Sequence, residues 1–221
     1  MNKFLNISFI IILFLILITF VFLSSSNKKQ KTFSIFILVL LFAFLICIIT
    51  YCSRNSLVYQ MSNIDNEKYL VRDLTDKKQA SDMLAKIKNN IIVLTDYLTN
   101  NIDKYPEYKE YINILNKRTK RLNIEENEDN ATTSYLNDKK ELIICLRSKR
   151  NDEIHDLNLV MYVVLHEMAH MACPEYGHTQ LFKKIFAFLT NRAMEINLYK
   201  KINFEQKNTE YCGIFLTNSI V

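Results

Sequence analysis

The sequence predicts an α+β domain preceded by two transmembrane helices. Three observations predict it. Two apolar runs of bilayer-spanning length fill the first 52 residues. A pair of long segments carries helical hydrophobic periodicity. Between them lies a stretch rich in alternating and β-branched residues.

The apolar runs are Phe4 to Leu23 and Phe33 to Cys52, joined by the polar turn 24–32. Each has the roughly 20 residues that one bilayer crossing needs. A cleaved signal peptide is the rival reading of the first run, but its apolar core is longer than a signal requires. Residues 1–52 are therefore expected to form a two-span hairpin in a membrane, with residues 53–74 as a juxtamembrane linker and 75–221 as the folded domain. Lys28, Lys29 and Lys31 in the turn place it in the cytosol by the positive-inside rule, and the domain on the far side. Asn130-Ala131-Thr132 matches a glycosylation sequon and is read as a chance triplet in an Asn-rich loop.

Charge excludes one function class. The formal net charge is +5, yet residues 1–52 contribute four Lys and no Asp or Glu. The remainder is close to neutral, so composition gives no electrostatic case for nucleic-acid binding. Of five Cys, Cys145, Cys173 and Cys212 are scattered through the domain with no C-x-x-C spacing. This pattern suggests neither a disulfide framework nor a Cys-type zinc knuckle.

Within the domain, Ala80, Met83, Leu84, Ile87, Ile91, Leu94, Leu98 and Ile102 recur at helical spacing and predict a helix over about 76–102. Asp76 and Gln79 resemble a capping box at its start. Pro106 opens a shorter helix to about 118. Leu122–Ile124 is a short strand candidate. Residues 133–136 and 141–147 read as a β-hairpin around the polar turn 137–140. A helix over about 156–172 is apolar on almost every side, which means burial. A further helix runs from Thr179 to about Leu198, and the segment from Tyr211 to Leu216 is a candidate closing strand.

The apolar helix carries His166-Glu167-Met168-Ala169-His170. Residues i and i+4 share a helix face, so both imidazoles can reach one metal. Glu167 is offset by one position, where it can hold a metal-activated water and act as general base. A third ligand requires the chain to turn back. Pro174 and Gly177 supply the break and His178 follows, with Glu175 and Glu195 as rivals. Tyr176 and Tyr211 are candidate oxyanion donors, with core packing as the alternative. Arg147 either contacts substrate or caps the sheet. His155 is read as a surface or capping residue and Cys173 as packing.

The block Ser134–Leu136, Leu142–Arg147, Met161–Met171, Gly177-His178-Thr179 with Phe182, and Tyr211–Ile214 resembles the small zincin-type metallopeptidase domains related to the WLM and SprT-like families. It is most similar to versions carried by large DNA viruses. The resemblance covers about residues 70–221. It implies a minimal zincin-like fold, an active-site helix beside a small sheet whose edge strand could take an extended peptide. It also implies Zn2+ held by His166, His170 and His178, with Glu167 as the catalytic base. The expectation is a membrane-anchored zinc metallopeptidase in a host or virion membrane, acting on a protein or peptide. A zinc-stabilised membrane protein without catalysis, used for binding or assembly, is the alternative.

Overall fold

The computed structural model describes residues 35–47, 56–128, 134–207 and 209–221. The chain divides into two compact units, Met1–Ser53 and Arg54–Val221. In the first unit the described residues form a single helix, 35–47. At 1.5 Å per residue its described part spans about 20 Å. Among the described residues no helix is long and apolar enough to cross a membrane. This corrects the expected pair of transmembrane helices, and the multi-pass membrane localisation and domain orientation that followed from it. The first apolar run, residues 4–23, lies outside the described residues, as does the sequon at 130–132.

The second unit begins earlier than the sequence suggested. Residues expected to form a linker instead make an antiparallel hairpin, β1 (Leu57–Met61) and β2 (Lys68–Arg72). Tyr69 and Val71 bury their side chains in the core. The helix α1 (Lys77–Asn100) follows, then 3-10 turns at Ile102–Lys104 and Pro106–Tyr108, then α2 (Lys109–Thr119). Ala80, Leu84, Ile87, Ile91, Leu94 and Leu98 form the buried stripe of α1, as the periodicity required. Asp76 makes no side-chain cap hydrogen bond. Its carboxylate instead accepts from Arg147 Nη1 at 2.5 Å.

Three strands form the central sheet in the order β3 (Asn123–Glu126), β5 (Glu141–Ile144), β4 (Tyr135–Asn137). β3 runs parallel to β5, with Ile124 opposite Leu142. β4 is antiparallel to β5 and forms the sheet edge. The helix α3 (Leu157–Ala172) is buried by its own composition: Val160, Met161, Leu165, Met168, Ala169 and Met171 are all fully covered. Asp156 caps its start by accepting the Asn158 N–H at 2.9 Å. Its end is set by Cys173, which precedes a proline and adopts extended backbone, φ −75° and ψ 130°. Arg118 donates to the Met171 carbonyl and so satisfies one of the last helical acceptors.

Gly177 then turns the chain at φ +77°, and Thr179 caps α4 (Gln180–Glu195) by accepting the Phe182 N–H at 3.2 Å. A C-terminal hairpin, β6 (Thr209–Tyr211) and β7 (Ile214–Leu216), closes the domain. The architecture is α+β with small sheets, as predicted.

Arg147 is not a substrate contact. Its side chain is buried, and Nε donates to Glu126 Oε1 at 2.6 Å. The second Glu126 oxygen accepts the Arg72 backbone N–H at 2.7 Å. One guanidinium thus joins β3, the start of α1 and the end of the central hairpin, with β2 tied in through Glu126.

Candidate metal centre

His166 and His170 project from one face of α3, and the Gly177 turn brings His178 back to meet them. The three Nε2 atoms lie 3.0 to 3.2 Å apart. Phe182 and Phe186, on the buried stripe of α4, hold the rings from behind. The His170 and Phe182 rings stack at 4.2 Å, and Phe186 meets His166 edge-on at 5.2 Å. Helix α4 therefore aims the imidazoles as well as filling the core.

Burial, then the charge of the neighbouring rings, pushes His166 down to about 4. Burial, then the His178 and Lys139 charges, pushes His170 down to about 4. Both rings are thereby held in the neutral form near pH 7, in which each imidazole keeps one nitrogen lone pair for a metal. That donor set suits a borderline-soft divalent cation. Tetrahedral zinc with Zn–N bonds of about 2.0–2.1 Å needs nitrogen separations of roughly 3.3–3.4 Å, close to those observed. Among the described residues the cluster has three donors, the number found at catalytic rather than structural zinc sites.

Glu167 sits beside the cluster, buried, and burial alone raises its carboxyl to about 8. A dication held by the three imidazoles acts in the opposite direction and favours the carboxylate. Glu167, His166 and His170 form the floor of a cavity of about 690 Å³. One wall is the approach to β4 and the strand itself, through Ser134, Tyr135 and Leu136. The other is the loop 175–178. Lys139, at the β4–β5 turn, bridges the walls: its ammonium donates to the Cys173 carbonyl at 3.3 Å and lies 5.7 Å from the Tyr176 ring centroid.

The other candidates separate cleanly. Glu175 lines the cavity but is not among the three converging donors. Glu195 accepts from the Tyr97 hydroxyl at 2.9 Å and pairs with Arg192 at 2.7 Å, so it is engaged elsewhere. Tyr176 stands exposed at the rim. Tyr211 is buried, and its hydroxyl is hydrogen-bonded to Ser134 Oγ at 2.6 Å. Burial raises that hydroxyl far above the usual phenol range, and the nearby Glu167 charge adds to the shift. His155 accepts the Cys212 N–H at 3.3 Å, a structural role. Cys173 is buried at the end of α3.

Sequence reasoning missed Lys139 as a cavity residue, because it belongs to no recognisable spacing, and gave Ser134 no role beyond its place in the resembling block. It also missed the Cys145–Cys212 disulfide, since three cysteines in the domain, with the bonded pair 67 residues apart, offer no pattern. Only the Tyr211-Cys212-Gly213 block hinted that Cys212 had a fixed place.

Over 179 residues the chain is 45% identical to uncharacterized protein R325 of Acanthamoeba polyphaga mimivirus, covering 80% of this chain and 91% of that protein. The chain belongs to this family of large DNA virus proteins. Uncharacterized protein 136R of Invertebrate iridescent virus 6 is 26% identical over 168 residues, covering 71% of this chain and 89% of that one. A shorter likeness, 37% identity over 81 residues, links the chain to uncharacterized protein 042R of Invertebrate iridescent virus 3, covering 37% of this chain and half of that protein. No protein-family model matches the chain. No solved structure matches it either.

Proposed function

We propose that this viral protein is a zinc-dependent peptidase related to the WLM and SprT-like metallopeptidases. The observation that carries the proposal is the convergence of three imidazole nitrogens within 3.2 Å of one another beside a buried carboxyl in an open cavity. His166, His170 and His178 hold the ion, and Glu167 serves as general base. Zinc supplies Lewis acidity, polarising a carbonyl and lowering the pKa of water.

The protein's own groups do the rest. Glu167 takes a proton from the attacking water and returns it to the leaving amine. Its burial favours that role, because a carboxylate in a poorly solvated site is a stronger base than one in water. An extended peptide adds to the edge of β4, where its backbone pairs with the strand and its scissile bond crosses the cavity floor. Endopeptidase action suits this layout, since a strand edge pairs with a backbone that continues past the scissile bond.

The test is cleavage of a mixed peptide library by the zinc-loaded full-length chain and by Glu167→Gln. The parent is expected to cleave. The variant should retain zinc and lose about 10²- to 10⁴-fold in kcat. Equal cleavage by both, or none by the zinc-loaded parent, overturns the peptidase reading.

A further inference from the structure

Cys145 follows β5 directly, and Cys212 lies in the turn between β6 and β7. Their disulfide joins the central sheet to the C-terminal hairpin, with Cα atoms 6.2 Å apart. Cys212 and Gly213 both have positive φ, 52° and 85°, the backbone of a tight type I′ turn. For Gly213 this is ordinary; for Cys212 it is unfavourable and must be held by its surroundings. They are the Cys145 sulfur on one side and His155, accepting the Cys212 N–H, on the other.

The bond completes a ring that ends at the cavity wall. Next to Cys212, Tyr211 hydrogen-bonds Ser134 Oγ; the same Oγ accepts the Cys145 N–H at 2.9 Å. Ser134 lines the cavity and immediately precedes the edge strand β4. Cys145, Cys212, Tyr211 and Ser134 thus close a circuit of two covalent links, the disulfide and the Tyr211–Cys212 peptide bond, and two hydrogen bonds, and it fixes where β4 begins. Beyond this circuit the hairpin is held by the Cys212 N–H to His155, by Glu210 with Ser148, Lys149 and Gly213, and by Arg150 over the Phe215 ring. A two-stranded hairpin is marginal without such support. None of the three histidines belongs to the circuit.

We propose that the Cys145–Cys212 bond is a redox latch on the substrate-binding wall: its formation docks the hairpin and fixes Ser134 and β4, so the cavity holds a peptide more tightly in the oxidised protein. The inference rests on the peptidase reading for the identity of the ligand, but not for the structural effect. Closure proceeds by thiol–disulfide exchange with a small-molecule disulfide. One cysteine thiolate attacks it and expels one small thiol. The second protein thiolate then attacks the mixed disulfide and expels the other, so two protein thiols are oxidised and two small thiols leave. Both protein sulfurs are covered once the bond has formed, so a small dithiol reaches them only when the hairpin lifts. Tyr211 and Ser134 are positioning residues in this scheme.

The full-length chain should be compared in three forms: oxidised, reduced with a dithiol, and Cys145→Ser/Cys212→Ser. Tyr211→Phe, which keeps the disulfide and loses the hydroxyl link, is the fourth. Unfolding the oxidised chain in an alkylating agent, followed by peptide mapping, should leave Cys145 and Cys212 unlabelled; labelling of both without prior reduction overturns the proposal. In the reduced and double-serine forms, amide hydrogen exchange should quicken at 134–137 and 209–216 while zinc content stays constant. A zinc-loaded Glu167→Gln background should bind a fluorescent extended peptide about tenfold more weakly when reduced, a loss of the order expected from a misplaced wall. Tyr211→Phe should quicken exchange at 134–137 with the disulfide intact, a result that does not depend on whether the double variant folds. Unchanged exchange in all these forms sinks the latch. If exchange responds as expected but no form cleaves or binds peptide, the latch stands and the peptidase reading falls.

Discussion

Arg147 offers the sharpest test of how the domain is held together. Its side chain and that of Glu126 are 3% and 0% exposed, and they meet at 2.6 Å. Replacing Arg147 with Met keeps most of the volume and removes the charge. Breaking a buried pair from one side typically costs about 3–5 kcal/mol, because the surviving charge is left uncompensated. Here the lower end applies. Burial already holds the Glu126 carboxyl above its ordinary value, with Arg147 opposing, so without Arg147 it takes up a proton and escapes part of the penalty. Asp76 is 30% exposed and regains water, so its lost pairing adds little. Urea denaturation of the full-length chain near pH 7.5, followed by far-ultraviolet circular dichroism, should show a loss of about 3 kcal/mol. Adding Glu126→Gln should restore at least about 1 kcal/mol, since the neutral amide still accepts the Arg72 N–H. A loss below about 1 kcal/mol would refute the buried-pair reasoning, that being the scale of an exposed pair.

Two further outcomes follow from the same packing. Leu165→Ala removes a fully buried side chain next to His166 and should destabilise the domain by about 2–5 kcal/mol, measurable in the same titration. His155 is depressed below the ordinary imidazole value, chiefly by burial, with the Glu210 charge and the Arg147 backbone opposing. The unfolded chain therefore binds the proton first, so His155's contribution is complete above about pH 6.5 and fades as pH falls toward its folded value. Stability measured from pH 7.5 to 5.5 should decline less steeply in His155→Gln than in the parent; parallel curves would remove His155 from the account.

The site was legible where its residues are close in sequence and its geometry is local. His166, Glu167 and His170 are placed by helical spacing alone, and Pro174 and Gly177 mark the turn that returns His178. The stripe of α1 and the β4–β5 hairpin were legible for the same reason. What failed to show was long-range. The β1–β2 hairpin looks like polar linker because its buried residues, Tyr69 and Val71, acquire meaning only against the core. Asp76 reads as a helix cap until Arg147, 71 residues away, claims its carboxylate. The Cys145–Cys212 pair is likewise a product of the fold. At the other end of the chain, apolar length misled: a 20-residue run specifies a lipid-compatible composition, whereas the described helix covers only residues 35–47.

The central claim is a zinc ion held by three imidazoles with one position open. Zinc X-ray absorption on the full-length chain, purified without added chelator, tests it most directly. The account predicts about one zinc per chain, with three nitrogen scatterers and a further light atom at about 2.0–2.1 Å, and loss of one imidazole contribution in His178→Ala. A chain that binds no stoichiometric zinc, or a sulfur scatterer at about 2.3 Å, would contradict it.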